Sequence, residues 1–131
     1  YSIDEIGRPN WIDVSVESVG VLAPKDIMKL AIAEIKQQLD SWMNNALEKI
    51  TRESEKDVYN VKLEQGGHTV GALLQEVIYH SKDVNFVSYD IPHPMKSTMV
   101  LRWCGSKKPE DILKETQKTI HEYCEIVEKG L

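Results

Sequence analysis

Gly20-Val21-Leu22-Ala23-Pro24-Lys25-Asp26-Ile27-Met28-Lys29 returns 85 positions later as Gly105-Ser106-Lys107-Lys108-Pro109-Glu110-Asp111-Ile112-Leu113-Lys114. Gly, Pro, Asp, Ile and Lys fall at matching places. Upstream, Val14 and Val16 match Met99 and Leu101, and downstream Ile35 matches Ile120. Strand phase, turn and helix register are therefore all kept. The chain carries a strand–turn–helix unit twice, as expected of two related halves about a pseudo-twofold axis.

Working outward from the first copy, Ile12, Val14 and Val16 alternate with Asp13, Ser15 and Glu17, which predicts a strand over residues 11–17. Gly20 ends it. Pro24 favours a helix start because its missing N–H costs nothing at the first helical position, and Asp26 suits the positive end of the helix dipole. From there Met28, Ile32, Ile35, Leu39, Trp42, Ala46 and Ile50 form one apolar stripe, predicting a helix from Pro24 to about Ile50. A helix that long stays folded by lying against other helices.

Thr51 to Asp57 is a polar, charged run and reads as a linker. Residues 58–63 read as a strand with Tyr59, Val61 and Leu63 on one face. Gly66-Gly67 reads as a turn, with Thr69 capping a short helix to about His80 along which Val70, Leu73, Leu74, Val77 and Ile78 line up. Strands follow at 84–89 and 98–103, separated by the stiff link Ile91-Pro92-His93-Pro94. The final helix starts at Pro109 with Leu113, Ile120, Cys124 and Val127 on its apolar face. The fold class expected is α+β, an antiparallel sheet with helices packed on one face.

At 131 residues the chain is about one domain. No apolar run approaches the length of a bilayer span. The net charge is −5 and no basic cluster exceeds Lys107-Lys108, which argues against direct contact with nucleic acid or an anionic surface. Cys104 and Cys124 lack CxxC spacing, which fits a reducing compartment.

An enzyme needs a constellation of reactive groups, and His68, His80, His93 and His121 are scattered without metal-ligand spacing, so no metal, cofactor or catalytic residue is assigned. Glu76 and His80 are four apart on one helix and read as a solvated face rather than an acid–base pair. Gly66-Gly67 before a helix is a weak phosphate signal, and a plain turn accounts for it. Trp11, Trp42 and Trp103 have no interleaved basic residues, so they read as core or interface rather than as stacking platforms.

Gly67-His68-Thr69-Val70-Gly71-Ala72-Leu73-Leu74, then Val84-Asn85-Phe86-Val87-Ser88-Tyr89-Asp90-Ile91-Pro92-His93-Pro94, then Val100-Leu101-Arg102, resembles a known signature. It is similar to the small assembly subunit of multisubunit DNA-directed RNA polymerases, the archaeal L subunit and its eukaryotic eleventh-subunit counterpart, over residues 58–129. The motif residues are His68, Thr69, Gly71, His93, Pro94 and Arg102. The first fifty residues resemble the C-terminal part of the dimerisation domain of the partner, the archaeal D or eukaryotic third subunit. Both subunits resemble the bacterial alpha subunit, which accounts for the internal repeat.

The resemblance implies a non-catalytic scaffold in which the motif helix and C-terminal helix of each partner form a four-helix layer with the sheets outside. On this chain residues 1–50 would be the D-type strand and long helix, 51–57 a linker and 58–131 the L-type domain. Met28, Ile32, Ile35, Leu39 and Trp42 would pack against Leu73, Leu74, Val77, Ile120 and Val127. The D-type motif helix has no counterpart in these residues, so the chain is expected to homodimerise or to expose an apolar face. Two partners in one chain resemble the fused subunit in polymerases of large cytoplasmic DNA viruses, asfarvirus type. That implies the large catalytic subunits as partners and a location in the host cytoplasm (the viral factory) and the virion, without membrane or direct nucleic-acid contact. Ala72 and Gln75 depart from the Asn and the basic residue common in the family. Two other readings stay open on the residues alone: a small metal- or phosphate-dependent enzyme around His68 and His93, and a homodimeric helix-bundle adaptor.

Overall fold

A computed structural model describes residues 2–54, 56–65, 67–92 and 98–131. The elements run β1 (Ser2–Ile3), β2 (Pro9–Trp11), α1 (Pro24–Ala46), β3 (Thr51–Arg52), β4 (Val58–Leu63), α2 (Gly67–Tyr79), β5 (Val84–Asp90), β6 (Met99–Gly105) and α3 (Pro109–Gly130). β3, β4, β6 and β5 form an antiparallel four-stranded sheet in that order, and β1 pairs with β2 apart from it.

Alternation sets the two faces of the sheet. Val61 stands opposite Leu101 and Leu63 opposite Met99, all buried, while the next row pairs Asn60 with Arg102 and Lys62 with Val100 on the other face. The three helices cover the first face. α1 lies on β4, α2 on β5 and β6, and α3 against α1 and α2. The core joins Leu39, Trp42, Met43 and Ala46 of α1 to Val70, Leu74 and Ile78 of α2, Ile112, Leu113 and Ile120 of α3, and the sheet side chains. The expected α+β class, with helices on one face of an antiparallel sheet, is the one observed.

Both copies of the repeat turn into their helices the same way. Ala23 O accepts from Asp26 and Ile27 N–H at 2.9 and 3.1 Å, and Lys108 O accepts from Asp111 and Ile112 N–H at 3.1 and 3.2 Å. The repeat glycines act differently. Gly20 has φ +101, a left-handed conformation open to glycine, whereas a Cβ on Gly105 would lie 2.5 Å from the Asp83 carbonyl oxygen.

Five expectations are corrected. Residues 12–19 carry no regular structure, with Ile12 and Val14 68% and 72% exposed, because a strand needs a ladder partner and this sheet offers none to that segment. Trp11 is likewise exposed rather than packed. The run read as a linker begins with β3, which pairs with Asn60 and Tyr59 of β4. α1 stops at Ala46, although Leu47 and Ile50 still pack on the core, and α2 begins at Gly67, so Thr69 lies inside the helix rather than capping it.

Candidate dimerisation surface

α1 and α3 run antiparallel and interlock through polar pairs flanking the core. Lys36 Nζ lies 2.9 Å from Glu128 Oε1, His121 Nε2 lies 2.7 Å from Asp40 Oδ1, and Gln117 Nε2 donates to the same Oδ1 at 2.7 Å. Partial burial alone would raise the Asp40 pKa. The bonds from His121 and Gln117 outweigh it and hold the carboxyl below its ordinary value.

A carboxyl whose folded pKa is lowered adds stability above its unfolded pKa, about 3.9, and loses that stability as pH falls through the folded value. Urea midpoints are therefore expected to drop as pH is lowered from about 5 to 3, and Asp40→Asn should flatten part of that drop. An unchanged acid slope in the variant would refute the assignment.

Each residue expected at the helical interface has a definite place. Leu39, Trp42, Leu74 and Ile120 are fully buried, and Ile32 is nearly so. Leu73 and Val77 are half-buried against the core, and Met28 and Ile35 are half-buried. Val127 is exposed, as are Tyr123 and Ile126 beside it. Trp42 and Trp103 are wholly buried, and neither indole N–H has a hydrogen-bond partner among the described residues.

Two of the motif residues, His68 and Gly71, meet at Tyr89 of β5. His68 Nδ1 is 3.1 Å from its hydroxyl, with the rings edge to face. Its ring fills the space where a side chain on Gly71 would be, since a Cβ there would sit 2.6 Å from Cδ2. The Tyr89 backbone N–H donates to Gln75 Oε1 at 3.2 Å. Gln75 and Gly71 thus seat α2 on this outer strand, which gives the departure at Gln75 a packing role. Ala72 and Thr69 face solvent. His93 and Pro94 lie outside the described residues.

On the outer face of the sheet, Arg102 grips Glu53, Nε to Oε1 at 2.9 Å and Nη2 to Oε2 at 2.7 Å, and Asn60 Nδ2 adds a bond to Oε1 at 3.1 Å. This grip holds the Glu53 carboxyl below its ordinary pKa. Glu53 was not singled out by sequence, because its partner lies far along the chain and a lone Glu in a charge run looks solvated.

Glu76 and His80 pair at 3.0 Å with both side chains more than half exposed, on the rim of a half-open groove of about 510 Å3 between α2 and α3. Among the described residues no three His, Cys, Asp or Glu side chains are grouped to hold a metal ion, and no helix is long and apolar enough to cross a membrane.

Residues 59–130, from the second residue of β4 to the end of α3, match the model of the RNA polymerase Rpb3/Rpb11 dimerisation domain. The chain belongs to this family. Among curated proteins it is similar to the DNA-directed RNA polymerases I and III subunit RPAC2 of Saccharomyces cerevisiae, 35% identical over 63 residues. That match covers 47% of this chain and 44% of the relative, so the chain spans less than half the length of the relative it matches. The matched residues hold β4 from Tyr59 onward, α2, β5, β6 and α3, and β3 lies outside them. α1 lies outside the matched residues and yet fills the helical layer.

Proposed function

We propose that this chain is a non-catalytic assembly module of a DNA-directed RNA polymerase in which D-type and L-type dimerisation elements share one polypeptide. The observation that carries this reading is the seat of α1. A helix from outside the family match places Leu39, Trp42, Met43 and Ala46 in the core of the matched domain, where a partner's helix would lie. Residues 1–50 are the D-type part, 51–57 the joint and 58–131 the L-type domain.

The 85-residue repeat supports the same assignment. Ile112, Leu113, Thr116 and Ile120 of α3 are buried, on a helix packed against α1 and α2. Their repeat equivalents in α1 are Ile27, Met28, Ala31 and Ile35, all half-buried or exposed. Exposed Val14 is likewise the equivalent of buried Met99, whereas in the other direction exposed Val127 is the equivalent of buried Trp42. The positions left open in the first copy are those that a second sheet and motif helix would cover.

The proposed work is burial. The rigid sheet-and-helix body offers the large catalytic subunits a platform, with no contact to nucleic acid or membrane. The fused arrangement points to a polymerase of a large cytoplasmic DNA virus, working in the host cytoplasm and carried in the virion. Affinity purification of the protein from its native source is expected to bring down the large polymerase subunits, and their absence would overturn the assignment. In isolation the 131-residue chain should self-associate or bind a hydrophobic dye. A monomer in light scattering that leaves the dye dark would count against the open D-type face.

A further inference from the structure

The described residues between α1 and β4 (47–54, 56 and 57) form a joint built into the sheet rather than left as a tether. Thr51 and Arg52 pair with Asn60 and Tyr59, and Glu53 N–H donates to Val58 O at 2.9 Å. The Glu53 carboxylate then takes two guanidinium N–H groups of Arg102 on β6 and the amide of Asn60 on β4. Arg102 itself sits over the ring of Phe86 on β5, 5.9 Å from its centre. At the other end of the joint, the Gly105 N–H of β6 donates to Asp57 O at 3.0 Å. The joint is thereby tied directly to β4 and β6, and through Arg102 it borders Phe86 of β5.

We propose that the Arg102–Glu53 clamp is a positioning device that seats α1 on the sheet of its own chain and prevents exchange of α1 between copies. It rests on the reading of α1 and residues 58–131 as two halves of a fused pair. The physical reason is the cost of opening. An element exchanges between copies when the hinge joining it can straighten. Straightening residues 47–57 strips a carboxylate of three N–H donors and a guanidinium of a bidentate partner, the strongest class of hydrogen bond available at a surface. Removing either partner takes away the side-chain grip and leaves the backbone bonds of Thr51, Arg52, Glu53 and Asp57 and the packing of Leu47 and Ile50 to hold the joint. Arg102→Lys keeps the charge but loses the fork, so it should behave as an intermediate case.

The test uses the full 131-residue chain with Cys104→Ser and Cys124→Ser, carrying Asp40→Cys and His121→Cys at the α1–α3 contact. Tagged and untagged copies are mixed unfolded, refolded together and treated with a short thiol cross-linker. With the clamp intact the cross-links are expected within single chains. Glu53→Ala or Arg102→Ala should raise the fraction between copies by about tenfold. Equal fractions in parent and variants, or cross-links between copies already dominant in the parent, would overturn the proposal.

Should Arg102→Ala not fold, Glu53→Gln supplies the second variant, read by hydrogen exchange. The backbone amide at position 53 should lose protection while the core of β6 keeps it, and unchanged protection would refute the clamp. Failure of the fused-subunit reading would appear only as missing polymerase subunits in purification, leaving these measurements as they are.

Discussion

Leu39→Asp combined with Leu74→Asp is expected to abolish the folded state. Both side chains are wholly buried, one in α1 and one in α2, within the same cluster as Trp42, Met99 and Leu101. Truncating a buried leucine to alanine already costs about 2–5 kcal/mol. Each new carboxylate would also sit without a partner in an apolar interior, at a cost of several kcal/mol more. A domain with about 5–15 kcal/mol in total does not survive both. Circular dichroism should show no cooperative thermal transition, while Ile126→Asp, on an exposed face, should melt with the parent. A double variant that kept a cooperative transition and the parent's oligomeric state would contradict the packing of α1 on α2.

Gly105→Ala should destabilise sharply, and Gly20→Ala should not, although the two glycines occupy the same place in the repeat. The Cβ at position 105 would meet a backbone oxygen at 2.5 Å, and that oxygen belongs to the turn between α2 and β5. Backbone gives way less easily than a side-chain tip, so overpacking of about 1–3 kcal/mol is expected, a fall in Tm of roughly 5–15 °C. At position 20 nothing lies within 4 Å, and only the positive φ is disfavoured. Residues 12–19 have no regular structure, so local rotation relieves the strain and Tm should stay within about 1 °C. Equal losses in differential scanning calorimetry would show that the two turns are loaded alike.

The contrast explains what was legible in the residues alone. Pro24 and Pro109 start their helices where the repeat places them, since a proline at the first helical position is a local signal. The inner face of the sheet was legible from alternation in Tyr59, Val61 and Leu63. The strand expected at 11–17 failed for the opposite reason: alternation states that a segment suits a sheet, not that an edge is available. β3 was hidden because its partners, Asn60 and Tyr59 of β4, give no sign in the run Thr51–Asp57.

The site divides in the same way. His68 and Gly71 stood out from the resemblance. Their shared contact, the Tyr89 ring, and the role of Gln75 as acceptor for a strand N–H needed the three-dimensional register of α2 on β5. The end of α1 at Ala46 had no glycine or proline to mark it, and the apolar stripe runs on through Ile50.

The covalent joint across residues 47–57 has a consequence in mass action. Two separate subunits find each other at a rate set by their concentrations, and the complex loosens on dilution. Here α1 meets its docking surface at the effective concentration fixed by a short joint, on the order of millimolar or above. Occupancy of that surface is then independent of how much protein is made, and dilution does not strip α1 from the sheet.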